Sequence, residues 1–110
     1  MDDLGSILKG RYALMKNNEE NMEFLFKCIA AIDNTEDAKC FLEDLCSMSE
    51  LEEMSRRIKA ARMLRDGYVY SEIASSTGLS TATISRVNRC IKYGNDGYSK
   101  ALDAVKKMES

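Results

Sequence analysis

Residues 70–93 read YSEIASSTGLSTATISRVNRCIKY, and this stretch decides the fold. It predicts a short helix around Ile73 and Ala74, followed by a tight turn at Gly78. A second helix is expected to begin after Ser80. Glycine tolerates the positive φ that such a turn requires, and serine is a favoured N-cap because its side-chain oxygen accepts from a free backbone N–H. Two helices joined by so short a turn make a helix-turn-helix.

The second helix is predicted to have one apolar face and one polar face. Ile84, Val87 and Ile91 recur at helical spacing and form the apolar stripe. A helix-turn-helix inserts its second helix into the DNA major groove, where hydroxyl, methyl and guanidinium groups contact phosphates and base edges. The predicted DNA-contacting residues are Tyr70, Ser71, Ser80, Thr81, Ala82, Thr83, Ser85, Arg86 and Arg89. The alternative, a hairpin packed inside a helical bundle, does not require a face so rich in threonine, serine and arginine.

Charge is unevenly distributed along the chain, although the total is only −2. Residues 1–55 hold 13 acidic and 5 basic residues, whereas residues 56–92 hold 2 acidic and 8 basic ones. The positive charge therefore lies in and just before the helix-turn-helix, which is the distribution that phosphate binding requires. A solvated surface is the ordinary explanation of a charge run. Here the scarcity of acidic residues after Glu53 favours an unpaired basic surface beside the DNA-reading helix.

The rest of the sequence predicts an all-α fold of about six helices in one domain, without strands. The chain contains no proline, which favours continuous helices over a turn-rich β architecture. Residues 1–16 are predicted to form an N-terminal arm or a short helix, whose apolar residues need a surface to cover. Residues 17–110 are predicted to form a single helical domain, with the helix-turn-helix at 70–92.

Three helix starts are predicted from capping residues. Asn17 or Asn18 is expected to open one helix, and Thr35 the next. Ser49 and Glu52 have the spacing of a capping box and are expected to open a longer helix. The inner face of that longer helix is predicted to consist of Leu51, Met54, Ile58, Ala61 and Leu64.

The composition argues against a membrane protein, a metal site and an enzyme. No run of about 18 apolar residues exists, and the acidic N-terminus does not look like a signal peptide. The chain has no histidine and no C-x-x-C spacing, so neither a metal site nor a cofactor is expected. The cysteines Cys28, Cys40, Cys46 and Cys90 are expected to be reduced thiols in the cytoplasm. Without histidine the commonest general acid or base is missing, and a helix N-terminus explains the carboxylates of Glu50, Glu52 and Glu53.

Residues 61–98 read ARMLRDGYVYSEIASSTGLSTATISRVNRCIKYGNDGY and closely resemble the Trp-repressor-related proteins of the YerC/YecD group. The resemblance extends from about Glu23 to Lys107 and is most specific over Ser80–Tyr93. It implies an all-α fold and an intertwined homodimer, in which the N-terminal helices of both subunits build a shared core. It also implies a transcriptional regulator.

The resemblance further implies roles for residues of the second helix. Thr81, Ala82 and Thr83 match the positions that approach bases in Trp repressor. Arg86 matches an arginine of that repressor's corepressor pocket, but the next residue is Val87, where Trp repressor has glycine. The predicted effector pocket consists of Arg56 or Arg57, whose register is ambiguous, together with Arg86, Val87 and Cys90. Two alternatives stay open: a small-molecule effector of unknown identity, or a pocket filled by the valine in a regulator that needs no effector.

The sequence therefore predicts a sequence-specific DNA-binding regulator, with repression as the expected direction, that binds a pseudo-palindromic operator as a homodimer. Its predicted partners are double-stranded DNA and a second copy of the chain. The alternative is a helical protein-interaction module without specific DNA binding, which the acidic first half of the chain supports. The basic segment 56–92 favours the regulator, because an interaction module leaves that segment unexplained.

Overall fold

The computed structural model describes residues 3–110, and the regular structure of this part of the chain is entirely α-helical. The predicted all-α fold of about six helices is confirmed. The helices are α1 (Asp3–Ala31), α2 (Thr35–Leu45), α3 (Met48–Arg65), α4 (Tyr70–Thr77), α5 (Thr81–Tyr93) and α6 (Gly97–Glu109). The predicted helix-turn-helix corresponds to α4 and α5.

The chain divides into two compact units: an N-terminal unit, Met1–Leu45, and a C-terminal unit, Cys46–Ser110. The N-terminal unit contains α1 and α2, and neither helix has a buried residue. The C-terminal unit contains α3 to α6, and every buried residue of the described chain belongs to it. The apolar core that positions the helix-turn-helix is therefore a property of the C-terminal unit.

The first helix, α1, runs for 29 residues without interruption. The predicted helix start at Asn17 or Asn18 is therefore wrong, and the predicted boundary after residue 16 lies inside α1. Gly5 and Gly10 each cost about 1 kcal/mol relative to alanine in a helix interior, which weakens a helix without ending it. Asparagine is tolerated in a helix interior as well as at a cap. The single domain predicted for residues 17–110 stays a prediction.

The cap of α2 is Asn34 and not the predicted Thr35, which is the first helical residue. The backbone N–H of Asp37 donates to Asn34 Oδ1 at 2.8 Å, and Asn34 Nδ2 donates to Asp37 Oδ2 at 2.8 Å. Asparagine and threonine are both good caps. When two such residues are adjacent, the sequence alone does not separate them.

The capping box of α3 is formed by Ser47 and Glu50, two residues before the predicted pair of Ser49 and Glu52. The backbone N–H of Glu50 donates to Ser47 Oγ at 3.2 Å, and the backbone N–H of Ser47 donates to Glu50 Oε1 at 2.8 Å. Hydrogen bonding to the Glu50 carboxylate, first from the Ser47 backbone N–H and then from the Ser47 side chain, holds the pKa of Glu50 below its ordinary value of 4.5. Both pairs have the spacing of a capping box, and the sequence analysis chose the wrong one.

The core of the C-terminal unit is built where α3, α4 and α5 meet. Its buried members are Ala60, Ile73, Leu79 and Ile84, and Met63, Leu64, Tyr70 and Ala74 pack against them. The predicted inner face of α3 is only partly correct, because Ile58 is 52% exposed and the buried residues are Ala60 and Ala61. Alanine side chains let neighbouring helices approach closely, so α4 and α5 can pack directly against α3.

The last helix, α6, is tied to α3 by one arginine. Arg65 Nη2 lies 2.7 Å from Asp103 Oδ1, and Arg65 Nη1 donates to the backbone oxygen of Ser99 at 3.3 Å. Because α6 also contacts α5, this clamp fixes three helices of the C-terminal unit relative to one another.

Candidate nucleic-acid interface

The turn between α4 and α5 is fixed by a left-handed glycine and a buried threonine. Gly78 has φ +75°, and its backbone N–H donates to the carbonyl oxygen of Ala74 at 2.9 Å. The positive φ predicted at this glycine is confirmed. Thr77 Oγ1 donates to the Ile73 carbonyl at 2.7 Å and accepts from the backbone N–H of Leu79 at 3.2 Å. Sequence reasoning missed Thr77, which is buried and whose hydroxyl joins the carbonyl group of Ile73 before the turn to the N–H group of Leu79 after it.

Ser80 caps α5, as its position before the helix predicted. The backbone N–H of Thr83 donates to Ser80 Oγ at 3.1 Å, and the two side-chain hydroxyls lie 3.0 Å apart. The hydroxyls of these two predicted DNA-contacting residues therefore bond to each other in the free chain. They hold the first turn of α5 in place, where free backbone N–H groups and the helix dipole favour a nearby anion such as phosphate.

The recognition helix α5 has the two faces that the periodicity predicted. Ile84 is fully buried and Val87 is 3% exposed, which anchors one face to the core. The residues on the opposite face that are solvent-exposed are Thr81, Ala82, Ser85, Arg86 and Arg89. The two arginines lie three positions apart, so they project from neighbouring turns of one face. Contact between these residues and DNA stays a prediction.

Two further predicted contacts, Tyr70 and Ser71, begin α4. Ser71 is exposed, whereas Tyr70 is half-buried and packs against the core. The hydroxyl of Tyr70 accepts a hydrogen bond from Asn88 Nδ2 at 3.1 Å, which braces the start of α4 against the middle of α5. Sequence reasoning missed Asn88, because the bond joins residues eighteen positions apart. Tyr70 is thus positioned to hold the two helices at a fixed angle.

The basic segment is less uniformly unpaired than its charge count predicted. Arg56 lies 3.7 Å from Glu52 and 3.8 Å from Glu53, and Arg65 pairs with Asp103. In the described residues no ion pair is recorded for the other basic residues of this segment, namely Arg57, Lys59, Arg62, Arg86, Arg89 and Lys92. The prediction of unpaired cations is therefore wrong for two residues out of eight, and for the other six no ion pair is recorded within residues 3–110.

The five residues of the predicted effector pocket differ in their exposure to solvent. Arg86 and Cys90 are exposed, whereas Val87 is buried. An open cavity of about 300 Å³ lies at the start of α3 and includes only one of the five, Arg57. Its lining residues are Cys46, Ser49, Glu50, Glu53, Met54 and Arg57. The effector pocket consequently stays a prediction.

No metal or membrane site is found in the part of the chain that the structure describes. Residues 3–110 place no three histidine, cysteine, aspartate or glutamate side chains where they could together hold a metal ion. All four cysteines are free thiols. None of the helices over the same range is long and apolar enough to cross a membrane.

The chain is similar to a known protein family and to known sequences and structures. The model of the family described as Trp repressor protein matches residues 20–106. A Bacillus subtilis (strain 168) protein named "Uncharacterized protein YerC" is 45% identical over 91 residues, which cover 83% of this chain and 88% of that protein. A protein of Xylella fastidiosa (strain M23), named "Trp operon repressor homolog", is 32% identical over 71 residues, which cover 64% of this chain and 77% of that protein.

The comparison of structures agrees with that of sequences. The crystal structure of a TrpR-like protein from Eubacterium eligens ATCC 27750 superimposes with a TM-score of 0.74 at 42% identity, covering 79% of this chain and 90% of that one. Its fold is therefore shared by most of the present chain. Together with the family match, this likeness shows that the chain belongs to the Trp repressor family and, within it, to the group related to YerC.

Proposed function

We propose that the protein is a sequence-specific DNA-binding transcriptional regulator that binds a pseudo-palindromic operator as a homodimer. The observation that carries the proposal is the two-faced recognition helix α5. Its apolar face is anchored by Ile84 and Val87, while its opposite face exposes threonine, serine, alanine and arginine side chains. The Trp repressor family is one of DNA-binding regulators, which supports the same conclusion.

The N-terminal half of α5 is the part proposed to read bases. Thr81 and Ala82 occupy its first turn, and Ser85 follows one turn later. A recognition helix contacts base edges with its N-terminal residues, a methyl group suits thymine, and hydroxyls suit bases or phosphates. Arg86 and Arg89 have no recorded acidic partner in the described chain, so either can bind guanine or phosphate.

The homodimer is proposed from the N-terminal unit. Large apolar side chains of α1, such as Leu8, Met22 and Phe26, are more than half exposed within one chain. Contiguous apolar surface on this scale marks a surface that is covered by another molecule. A two-fold dimer presents two copies of α5, which fits half-sites about 34–36 Å apart on one face of DNA.

Repression is the proposed direction of regulation, because a relative at 32% identity carries the name "Trp operon repressor homolog". Tryptophan is not the proposed effector. Val87 is 3% exposed and occupies with its own side chain the position at which Trp repressor has glycine. We therefore favour a regulator that binds its operator without an effector. An amino acid or indole that raised both thermal stability and operator affinity would contradict this view.

The function is tested by selecting DNA from a random pool with the purified protein at moderate salt. The expected result is an enriched palindromic motif, whose half-site spacing matches two recognition helices. Affinity should fall steeply with salt, because contacts to about six phosphates release as many counterions. Binding without any enriched motif, and lost at modest salt, would contradict sequence-specific recognition.

A protein-interaction module is the second candidate function, and the exposed apolar residues of the N-terminal unit are the observation that favours it. This candidate predicts that gel shifts at low salt show no complex, while the immobilised protein retains a specific protein partner. It leaves unexplained why six of the eight basic residues of segment 56–92 have no recorded acidic partner in the described chain.

A further inference from the structure

The helix α1 carries a heptad repeat along its whole length. Leu8, Met15, Met22 and Ile29 follow one another at intervals of seven residues, which are the a positions of a coiled coil. The intervening d positions are Leu4, Arg11, Asn18 and Leu25. We call the six apolar members the heptad stripe of α1: Leu4, Leu8, Met15, Met22, Leu25 and Ile29. Four heptads with apolar residues at most a and d positions are typical of a helix that pairs with another helix.

The first half of this stripe lies outside the region that defines the family. The family match begins at residue 20, whereas α1 begins at Asp3, so residues 3–19 extend the helix by about 25 Å at 1.5 Å per residue. Leu4, Leu8 and Met15 of this extension are 67%, 55% and 62% exposed. Three more apolar residues flank them, namely Ile7, Tyr12 and Leu14, and each is at least half exposed. The family fold therefore does not account for this surface.

Residues 3–19 lack the features that hold an isolated helix together in water. Glycine is the poorest helix former after proline, and Gly5 and Gly10 both lie in this segment. The structure records no ion pair within the described residues 3–19. In proteins most of the stability of a helix comes from the packing of its apolar face and not from helix propensity. A helix here is thus explained by packing against a partner.

We infer that residues 3–19 of α1 pack against a second copy of this chain and lengthen the dimer interface. The inference rests on the homodimer proposed above. The stripe continues without a break into residues 20–31, which belong to the family fold, so one partner helix can follow it from end to end. The segment is nearly neutral, with three basic and two acidic residues, so charge does not oppose pairing with itself.

The area available is sufficient for such a contact. The large apolar side chains of residues 3–19 are those of Leu4, Ile7, Leu8, Tyr12, Leu14 and Met15. From each of two helices these six side chains bury roughly 1,000 Å² in total, if each contributes the area that a core side chain removes from water. Added to the family dimer, this is a substantial part of an interface of standard size. The polar d positions, Arg11 and Asn18, weaken the coil and restrict its register, as single polar residues do in coiled-coil seams.

The test compares two double variants of the full chain that introduce identical charges on opposite faces of α1. Leu8→Glu with Met15→Glu alters the stripe, whereas Ser6→Glu with Ala13→Glu alters the outer f positions. Sedimentation of fluorescently labelled protein from nanomolar to micromolar concentration gives the dimer dissociation constant. The stripe variant should raise this constant about 100-fold or more, because burial of two apolar side chains per helix is lost and charges enter the seam. The matched control should stay within a few-fold of the wild type.

A third double variant is expected to strengthen the dimer, a result that misfolding would not produce. Arg11→Leu with Asn18→Leu makes the d positions fully apolar and should lower the dissociation constant on the order of 10-fold. The inference would be overturned if the wild type is a dimer and its dissociation constant changes neither in the stripe variant nor in the variant with Arg11→Leu and Asn18→Leu. The proposed homodimer would then remain intact. A wild-type tetramer that the stripe variant converts to a dimer would overturn the placement within the dimer. A wild-type chain that is monomeric at every concentration would instead refute the homodimer itself.

Discussion

The N-terminal and C-terminal units differ in how their apolar residues are covered. In the C-terminal unit, Ile73 and Ile84 are fully buried in one core. In the N-terminal unit, no residue of α1 or α2 is fully buried. The C-terminal unit therefore has an apolar core within one chain, whereas many large apolar side chains of the N-terminal unit are exposed within one chain. We propose that the C-terminal unit holds α5 in place and that the N-terminal unit joins two copies of the chain.

The largest expected effect is the loss of the core beneath the recognition helix. Ile84→Ala removes a fully buried side chain and should lower the free energy of unfolding by about 3 kcal/mol, since a cavity remains between α3, α4 and α5. Met108→Ala, at a residue that is 75% exposed, should change it by less than about 0.5 kcal/mol. Urea denaturation of both variants measures the difference. Equal effects would contradict the assignment of the core to this position.

The next effect tests whether DNA binding belongs to the C-terminal unit. Arg86→Ala combined with Arg89→Ala should weaken binding to the selected operator about 100-fold, because each arginine contributes one base or phosphate contact. The affinity should also depend less steeply on salt concentration, since fewer counterions are released. Fluorescence anisotropy over a range of salt concentrations gives both quantities.

The control for this variant removes the same charge from another helix. Lys106→Ala combined with Lys107→Ala lies in the last turn of α6 and should leave the affinity within about threefold of the wild type, as the effect of net charge alone. Unchanged affinity in the arginine variant would refute the proposed reading face. Equal losses in both variants would mean that binding follows net charge and not the geometry of α5.

The third prediction tests whether a partner subunit covers the exposed apolar residues of the N-terminal unit in solution. Phe26 lies at an e position beside the heptad stripe of α1 and is 58% exposed in one chain, whereas Phe24 lies at a c position on the outer side of the helix and is 69% exposed. In the homodimer Phe26→Ala should lower the free energy of unfolding by about 2 kcal/mol, and Phe24→Ala by less than about 0.5 kcal/mol. The difference should grow as protein concentration falls towards the dissociation constant. Identical small effects would indicate that the stripe stays exposed.

The sequence predicted those features of the C-terminal unit that depend on neighbouring residues. Helical spacing located Ile84 and Val87 on the buried face of α5, and the glycine before that helix predicted the left-handed turn at residue 78. Such local patterns are read directly, because the period of a helix is fixed by its geometry. The predicted caps lie one residue after the observed cap of α2 and two residues after that of α3. Serine, threonine and asparagine are all good caps, so nearby residues of these types cannot be separated by sequence alone.

The features that the sequence did not predict depend on distant residues. The hydrogen bond between Asn88 and Tyr70 and the ion pair between Arg65 and Asp103 join different helices, so no spacing rule indicates them. A count of charges therefore overestimated the number of free cations. In α1 a polar run around residue 17 resembled a helix start, but a long helix accommodates such a run on its surface. That run would become part of an interface only if a second copy of the chain packs along the whole length of α1.

The smallest expected effect concerns the capping box at which the C-terminal unit begins. Hydrogen bonds from Ser47 hold the pKa of Glu50 below its ordinary value of 4.5, so ionised Glu50 favours the folded state above that pH. This contribution disappears as the pH falls through the folded-state pKa. Glu50→Gln should consequently lower the free energy of unfolding at neutral pH, and the difference from the wild type should narrow as the pH falls below 4.5. Urea midpoints measured between neutral pH and the acid range check this narrowing.

Ser47→Ala provides the background that separates the two hydrogen bonds at Glu50. It removes the bond from the serine hydroxyl but keeps the bond from the backbone N–H, which is the larger cause of the lowered pKa. The pH-dependent difference between Glu50 and glutamine should therefore shrink in this background without vanishing. A difference that stays constant with pH would mean that the capping box does not involve the ionised carboxylate. In that case the start of α3 would be held without any contribution from the charge of Glu50.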